Sequence, residues 1–345
     1  MATFFVTSTQ FLSQMSAPRV CAVVVTFNRA ASLARSLEGL MAQHRPPDEI
    51  LVVDNASTDS TADLLAGSYP EAVVHRLASN SGSSGGFSEG VRLAHEMGFD
   101  WLWLLDDDVV AEPACLKELL EVAVASGKKV VVPRRRAADG AYPRNEAIID
   151  ERMQTYRAPV SSARWVGIDI FTFEGPLIHR SVVDRVGLPN SRFFITADDT
   201  EFSVRVYQEM GPLAGALANH TAVNRLLPSE GDVTMRSGLK QAITGDSEFV
   251  LRPDEHYWKH GYYLRNRHLI WKKLGWRRRR IRQLVIHAGY LVTDVVESAR
   301  RGWDWRLRLR INTHALILGL LGRDGAFINP AEYHAIRARR AKRRA

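Results

Sequence analysis

Apolar runs alternating with helix-period segments set the plan of the first third of this chain. VCAVVVTF (20–27), EILVVDN (49–55) and WLWLL (101–105) have the length and composition of buried strands, and AVVHRL (72–77) reads as a further, short strand. VCAVVVTF is apolar at every position up to Thr26, as in a parallel sheet covered on both faces. Between the runs, Ala30 to Gln43 and Ala62 to Ala66 have helical periodicity, and Ser57-Thr58-Asp59 suits a turn and an N-cap. NSGSSGGFSEG (80–90) reads as a glycine-rich loop opening onto a helix from Phe87 to Met97. Strands and helices alternating at this spacing predict an α/β fold around a mostly parallel central sheet.

Further along, the pattern predicts a helix from Pro113 to about Ser126, a strand VVVP (130–133) and a variable loop region from Arg134 to Ser162. DIFTFEGPLIHR (169–180) should begin as a strand. FFITADDTEFSVRVYQEMG (193–211) reads as a strand edge, a carboxylate pair and an amphipathic helix stopped by Gly211. From about His260 the chain is helical, with basic residues among Trp, Tyr and Leu. The expected organisation is a leader over 1–18, a catalytic domain over 19–255 and a basic helical region over 256–345. Within the catalytic domain, a nucleotide-binding half spans about 19–128 and an acceptor half about 129–255.

Charge divides the chain unevenly. From Arg265 to the end there are 21 Lys and Arg against 5 Asp and Glu, a net of +16, so residues 1–264 carry −8 of the chain's +8. A basic end attracts polyanions, and Trp271, Trp276, Trp303 and Trp305 among its arginines suit either a peripheral contact with an anionic membrane or a helix pair packed on the catalytic domain with its charges solvated. No recognised nucleic-acid motif is present, so nucleic acid is not the expected partner. Two cysteines, Cys21 and Cys115, imply no disulfide framework and a reduced compartment. The N-terminal segment has no basic n-region or long apolar h-region, and LVIHAGYLVTDVV is interrupted by His287 and Asp294. The expected location is cytoplasmic, at most peripheral on the inner face of the plasma membrane.

The densest chemistry is Asp106-Asp107-Asp108, directly after WLWLL. Three carboxylates at the end of a buried strand crowd like charge at the edge of an apolar core. A hard divalent cation with oxygen ligands, Mg²⁺ or Mn²⁺, relieves that crowding and leaves positions open for phosphate oxygens. Asp54 ends a neighbouring strand, where an acidic side chain can accept hydrogen bonds from a nucleoside. The 80–90 segment lacks both the Lys-Ser/Thr of a P-loop and the G-x-G-x-x-G spacing, so it supports only close backbone approach to a ligand. Asp198-Asp199 forms a second acidic cluster, in which one carboxylate can serve as a general base with its pKa raised by the other. His220, in LANHTAV, is read as a strand end able to complete a metal shell.

VVVTFNR, ILVVDNASTD, NSGSSGGFSEG, WLWLLDDDV, FFITADDTEFSVR and YYLRNR occur in the order found in family-two glycosyltransferases of the GT-A fold. The chain resembles them over about 20–270, most nearly the bacterial galactofuranosyl- and rhamnosyltransferases. The resemblance implies an inverting, metal-dependent hexosyltransferase acting in cell-envelope polysaccharide synthesis. Its donor would be a UDP- or dTDP-sugar, its acceptor a glycan or lipid-linked hydroxyl, and its fold GT-A (Rossmann-like) with a C-terminal helical extension. It further implies a nucleotide-sugar site from Thr26, Phe27, Asn28, Arg29, Asp54, Asn80, Gly85, Asp106 and Asp107. Asp106 and Asp108 become the D-x-D pair, with His220 as a third ligand of Mn²⁺ or Mg²⁺. Asp199 becomes the base, with Asp198 orienting the acceptor or holding Asp199. The competing enzymatic reading is a Mg²⁺-dependent haloacid-dehalogenase-type phosphatase with Asp106 as nucleophile, Asp108 as acid and Asp198-Asp199 on the metal. That reading leaves Asp54 and three preceding strands without a purpose.

Overall fold

The structure, a computed structural model, describes residues 17–142, 146–150, 155–226, 233–236, 248–251, 254–273 and 277–342. Most of the expected leader, parts of the 134–162 stretch and Trp276 lie outside the described residues. In chain order the first half contains β1 (Val20–Thr26), α1 (Ala30–Met41), β2 (Glu49–Asp54), α2 (Thr61–Ser68), β3 (Val73–Arg76), α3 (Gly82–Glu96) and β4 (Trp101–Asp106). There follow β5 (Val109–Ala111), α4 (Cys115–Ser126), β6 (Val130–Arg136), β7 (Ala147–Ile149), β8 (Thr155–Arg157), β9 (Trp165–Ile168), β10 (Leu177–His179), α5 (Arg180–Val186), α6 (Asp198–Met210) and β11 (Gly215–Arg225). The strands β12 (Val233–Arg236) and β13 (Glu248–Leu251) pair with each other. The chain then continues through α7 (Tyr257–Lys273), α8 (Arg277–Arg300), α9 (Trp305–Leu321) and α10 (Pro330–Lys342).

The main sheet runs β3-β2-β1-β4-β10-β6-β11-β5, with β9 also on β11. β3, β2, β1 and β4 are mutually parallel, as the apolar runs predict. Period-two alternation explains why those runs contain almost no polar residue. Cys21, Val23 and Val25 face one core layer with Phe87, Val91 and Phe202. Val20, Ala22 and Val24 face the other, with Leu33, Leu37, Leu116 and Leu119. Both cysteines are buried free thiols, and burial pushes each up to about 12, so they are inert core groups.

Four expectations change. The 80–90 segment is the first half of α3 and begins at Gly82, so most of it is helix, not loop. A Cβ at Gly86 would lie 2.4 Å from Val25 Cγ1, and one at Gly90 would lie 2.4 Å from Val23 Cγ1. These glycines let the helix lie close on β1; they do not make a flexible segment. The run FFIT is not a strand edge. Residues 191–193 form a 3-10 turn, and Phe194, Thr196 and Ala197 follow with φ of +68°, +63° and +63°. Within 169–180 the strand comes last: β10 inserts antiparallel between β4 and β6, where it carries the apolar pair Leu177-Ile178. The 134–162 stretch is also more ordered than a variable loop, since β6 extends to Arg136 and β7 pairs with β8.

The C-terminal helices pack on the sheet domain through α7. Leu269, Ile270 and Trp271 join Ile149, Ile170, Phe193 and Val204 in one apolar cluster. Tyr257, Trp258 and Tyr262 join Leu307, Ile311 and Tyr333 in another.

Candidate active site

The parallel strands β1, β2 and β4 deliver their carboxyl ends to one edge of the sheet, where ligands bind in open α/β folds. The register places Val25 opposite Asp106 and Thr26 opposite Asp54. Asp107 turns back onto β1: its Oδ2 accepts from the Thr26 hydroxyl at 2.8 Å, and its Oδ1 from Arg29 Nη1 at 3.1 Å. Asp108 Oδ2 accepts from Arg29 Nη1 at 3.1 Å and from Arg225 Nη2 at 3.3 Å. Its Oδ1 is buried with no hydrogen-bond partner. Burial, followed by the charges of Asp108, Glu174 and Asp107, holds Asp106 well above the usual carboxylate range. The Glu174 carboxylate bonds Arg135 and lies 3.5 Å from Arg225.

Two cavities meet at this edge. The larger, about 530 Å³, is lined by Thr26, Phe27, Arg29, Asn80 and all three aspartates. The smaller, about 420 Å³, is lined by Asp198, Asp199, Glu174, Arg135, Tyr263 and Trp271. Asp106, Ser83, Thr196 and Arg225 line both. A ligand spanning the two therefore passes Asp106.

Asp198 and Asp199 open α6. Burial and then the neighbouring Asp199 raise Asp198 to about 7, and burial raises Asp199 to about 6 against the Thr200 N–H and hydroxyl that bond it at 2.6 and 3.2 Å. Both are thus poised to exchange a proton near neutrality.

Other expected residues are placed differently. Asp54 lies below the cavity, with its Oδ1 accepting from Ser57 N at 2.8 Å and its Oδ2 paired with Arg76, while the adjacent Asn55 lines the cavity. Asn28 (φ +53°) uses its Oδ1 to accept from Thr58 N at 2.6 Å, tying the turn after β1 to the turn after β2. Gly85 packs against Ser81, and Gly82 is the glycine at the cavity wall. His220 is not brought to the aspartates. It is exposed in mid-β11, close enough to act on the charge of Glu118, and the residue that β11 carries to Asp108 is Arg225. A bulge between Ala218 and Ala222 interrupts the strand there. Glu174, Arg135 and Arg225 went unnoticed in the sequence. Arg135 is the buried middle member of an Arg-Arg-Arg run, and Glu174 is the one acidic residue within FTFEGPLI.

Relatives with known assignments match the same region. The model of glycosyl transferase family 2 matches residues 21–187. A galactofuranosyltransferase, GlfT1, of Mycolicibacterium smegmatis is 32% identical over 207 residues, which cover 57% of this chain and 68% of that protein. GlfT1 of Mycobacterium tuberculosis is 35% identical, with coverage of 57% and 67%. The chain belongs to glycosyl transferase family 2. This glycosyltransferase is also 35% identical over 120 residues to an undecaprenyl-phosphate mannosyltransferase of Micrococcus luteus, covering 34% of this chain and 49% of that one. In fold it is similar to GalNAc-T7, solved with UDP, GalNAc and Mn²⁺, at a TM-score of 0.50 and 18% identity, covering 62% of this chain and 44% of that one. Family membership carries a nucleotide-sugar donor and a glycan acceptor, and nothing supports the phosphatase reading of Asp106.

The donor set of this family 2 enzyme fits a hard divalent cation. Asp106 is crowded by like charge and Asp108 Oδ1 is orphaned, and both carboxylates line the larger cavity, where they could hold the ion. Among the described residues no cluster of three or more His, Cys, Asp or Glu forms a cage. That is the usual situation where one or two carboxylates share the ion with substrate phosphates.

Proposed function

We propose that the chain is an inverting transferase that moves galactofuranose, or the related rhamnose, from a UDP- or dTDP-sugar to a hydroxyl of a glycan or lipid-linked acceptor in cell-envelope polysaccharide synthesis. The observation that carries this reading is the meeting of the two cavities at Asp106. The larger takes the nucleotide diphosphate, and the smaller presents the acceptor to Asp198-Asp199. The relatives named as galactofuranosyltransferases favour that sugar.

In this reading Phe27, Asn55 and Asn80 form the nucleoside end of the donor site, beside the buried Asp54. Arg29 and Arg225, already on Asp107 and Asp108, spread positive charge over the leaving diphosphate. Mn²⁺ or Mg²⁺ held by Asp106 and Asp108 would add Lewis-acid stabilisation of that charge. Asp199 takes the proton of the acceptor hydroxyl, whose oxygen bonds to the anomeric carbon as the carbon–phosphate-oxygen bond breaks, and the electron pair leaves with the nucleoside diphosphate. Asp198 sits beside it at the helix start and orients the acceptor. Calorimetry with UDP-galactofuranose and dTDP-rhamnose in the presence of Mn²⁺ tests the donor. Saturable binding of one of them is the expected result, and absence of binding by either overturns the assignment.

The same reading includes a peripheral contact with anionic lipid, carried by a surface other than the tryptophans. Trp271 is buried against α6, and Trp303 lies under Arg308, 4.4 Å from its ring centroid. The exposed apolar stripe is on α8: Ile281, Val285, Ala288, Val292 and Val296 follow one face, with Ile281 61% and Val292 63% exposed. His287, Asp294 and Ser298 bury the opposite face. The chain from Arg265 onward carries a net +16, complementary to an acidic bilayer, and no helix among the described residues is long and apolar enough to cross one. Flotation with phosphatidylglycerol vesicles at low salt should carry the protein up, and Ile281→Asp/Val292→Asp should leave it behind. Equal flotation of both proteins, or a dimer that ignores lipid, would assign the stripe elsewhere.

A further inference from the structure

The YYLRNR run of α7 places two polar side chains, Arg265 and Asn266, in a fully buried position. Neither has a role in the transfer chemistry above. Buried polar groups of this size are tolerated only when their hydrogen bonds are made, so their partners indicate what the pair is for. The Asn266 amide nitrogen donates to the carbonyl oxygens of Phe193 at 3.2 Å, Ile195 at 3.0 Å and Thr196 at 2.7 Å. Arg265 donates to Asn266 Oδ1 from Nε at 2.9 Å and from Nη2 at 2.7 Å. With its oxygen held by the guanidinium, the amide has one orientation, nitrogen toward the turn. Arg265 Nη2 also reaches the Phe193 carbonyl at 3.0 Å, and Nη1 bonds the Gly325 carbonyl.

The segment these groups hold is the left-handed turn ahead of α6. Phe194, Thr196 and Ala197 all have positive φ with a side chain present, a combination that persists only where surrounding contacts over-determine it. Each of its carbonyls has a partner, the two Asn266 N–H groups being shared among three of them. Phe194 O accepts from Ser84 N at 3.1 Å, and Phe193, Ile195 and Thr196 are served by the α7 pair. The turn ends at Asp198, and Thr196 and Ala197 form cavity wall next to the two carboxylates.

We infer that Asn266, oriented by Arg265, is a positioning residue that clamps the strained turn from Phe193 to Thr196 and thereby fixes where Asp198 and Asp199 face the acceptor. The helix that closes the C-terminal side of the molecule is in this way part of the catalytic geometry without touching substrate. The inference rests on the reading of Asp199 as the base.

The test is a kinetic comparison of Asn266→Ala, Asn266→Ala/Ala197→Gly and Asp199→Asn in the full-length protein. Displacing the dyad by a fraction of an ångström to one ångström should lower kcat by about 100-fold. Phe194, Ile195 and Thr196 also wall the donor cavity, so donor KM should rise too, but by clearly less than kcat falls, because the opposite wall, from β1, β2 and α3, is untouched. Glycine at 197 removes the steric objection to positive φ, so the double variant should regain roughly tenfold in kcat. A space-filling role would give no such recovery. Should Asn266→Ala fail to fold, Asn266→Ser, which keeps one donor, should show a smaller loss that again falls mainly on kcat. A folded Asn266→Ala with wild-type kcat, a loss confined to donor KM, or no gain on adding Ala197→Gly would each overturn the clamp. If Asp199→Asn retains turnover while Asn266→Ala loses it, the base assignment fails and the clamp stands. The reverse pattern fails the clamp alone.

Discussion

Asp199→Asn should lower the transfer rate by about 10³-fold or more while leaving nucleotide affinity nearly unchanged, since a positioned general base contributes on that scale. The substitution keeps the volume and the Thr200 contacts of the side chain and removes only its capacity to take a proton. Asp199 lines the smaller cavity and not the larger, so donor binding has no reason to change. The same group sets a pH dependence. Burial raises Asp199 to about 6. The base must be ionised to act, so kcat should fall as pH drops through about 6 and be level above it, until another group intervenes. Titrating UDP into the variant and measuring kcat against pH for the native protein check both halves. Normal turnover by the variant would remove Asp199 from the mechanism.

Gly82→Ala should disable the enzyme through its fold. An added Cβ would lie 1.8 Å from the Phe194 carbonyl oxygen and 2.5 Å from its carbon, both backbone atoms of the clamped turn. Neither can step aside as a flexible side-chain tip could. Gly82 also has φ +75°, which an alanine adopts only with strain. Together these should cost about 3 kcal/mol or more of stability and abolish donor binding, because Gly82 and Phe194 both wall the larger cavity. Gly98→Ala is the control: it has φ +81° with nothing within 4 Å of the added carbon, so it should cost only about 1–2 kcal/mol and leave donor binding intact. Denaturant unfolding and nucleotide titration of the two variants separate the effects. Equal outcomes for both would show that the contact with Phe194 is unimportant.

The sequence was most legible where local composition and global position agree. The apolar runs of β1, β2 and β4 supply both core layers, whereas β3, at the sheet edge, leaves Val73 and Val74 exposed. The aspartate triplet was legible for the same reason, since a charged cluster after a wholly buried strand has few physical explanations. Legibility failed where a residue type serves more than one purpose. Glycines in 80–90 were read as loop because composition does not reveal that Gly86 and Gly90 face β1 at close range. FFIT was read as strand because it is apolar and β-prone, yet tertiary bonds from α7 hold it in a left-handed turn. His220 draws attention because histidine is a common ligand, while Arg225 carries no local signal. Which of them reaches Asp108 depends on the length and register of β11, which no local pattern encodes. Arg135 and Glu174 pair with each other from distant segments, so neither is conspicuous in the sequence.

Transfer in the proposed reading is a single displacement, with the acceptor entering from the Asp199 cavity on the face opposite the departing diphosphate. The most direct measurement is the anomeric configuration of the product, read by NMR on material made from a donor of known configuration. Inversion at the anomeric carbon is the expected result. Retention would require the sugar to be attacked twice, and would contradict both the role of Asp199 and the division of labour between the two cavities.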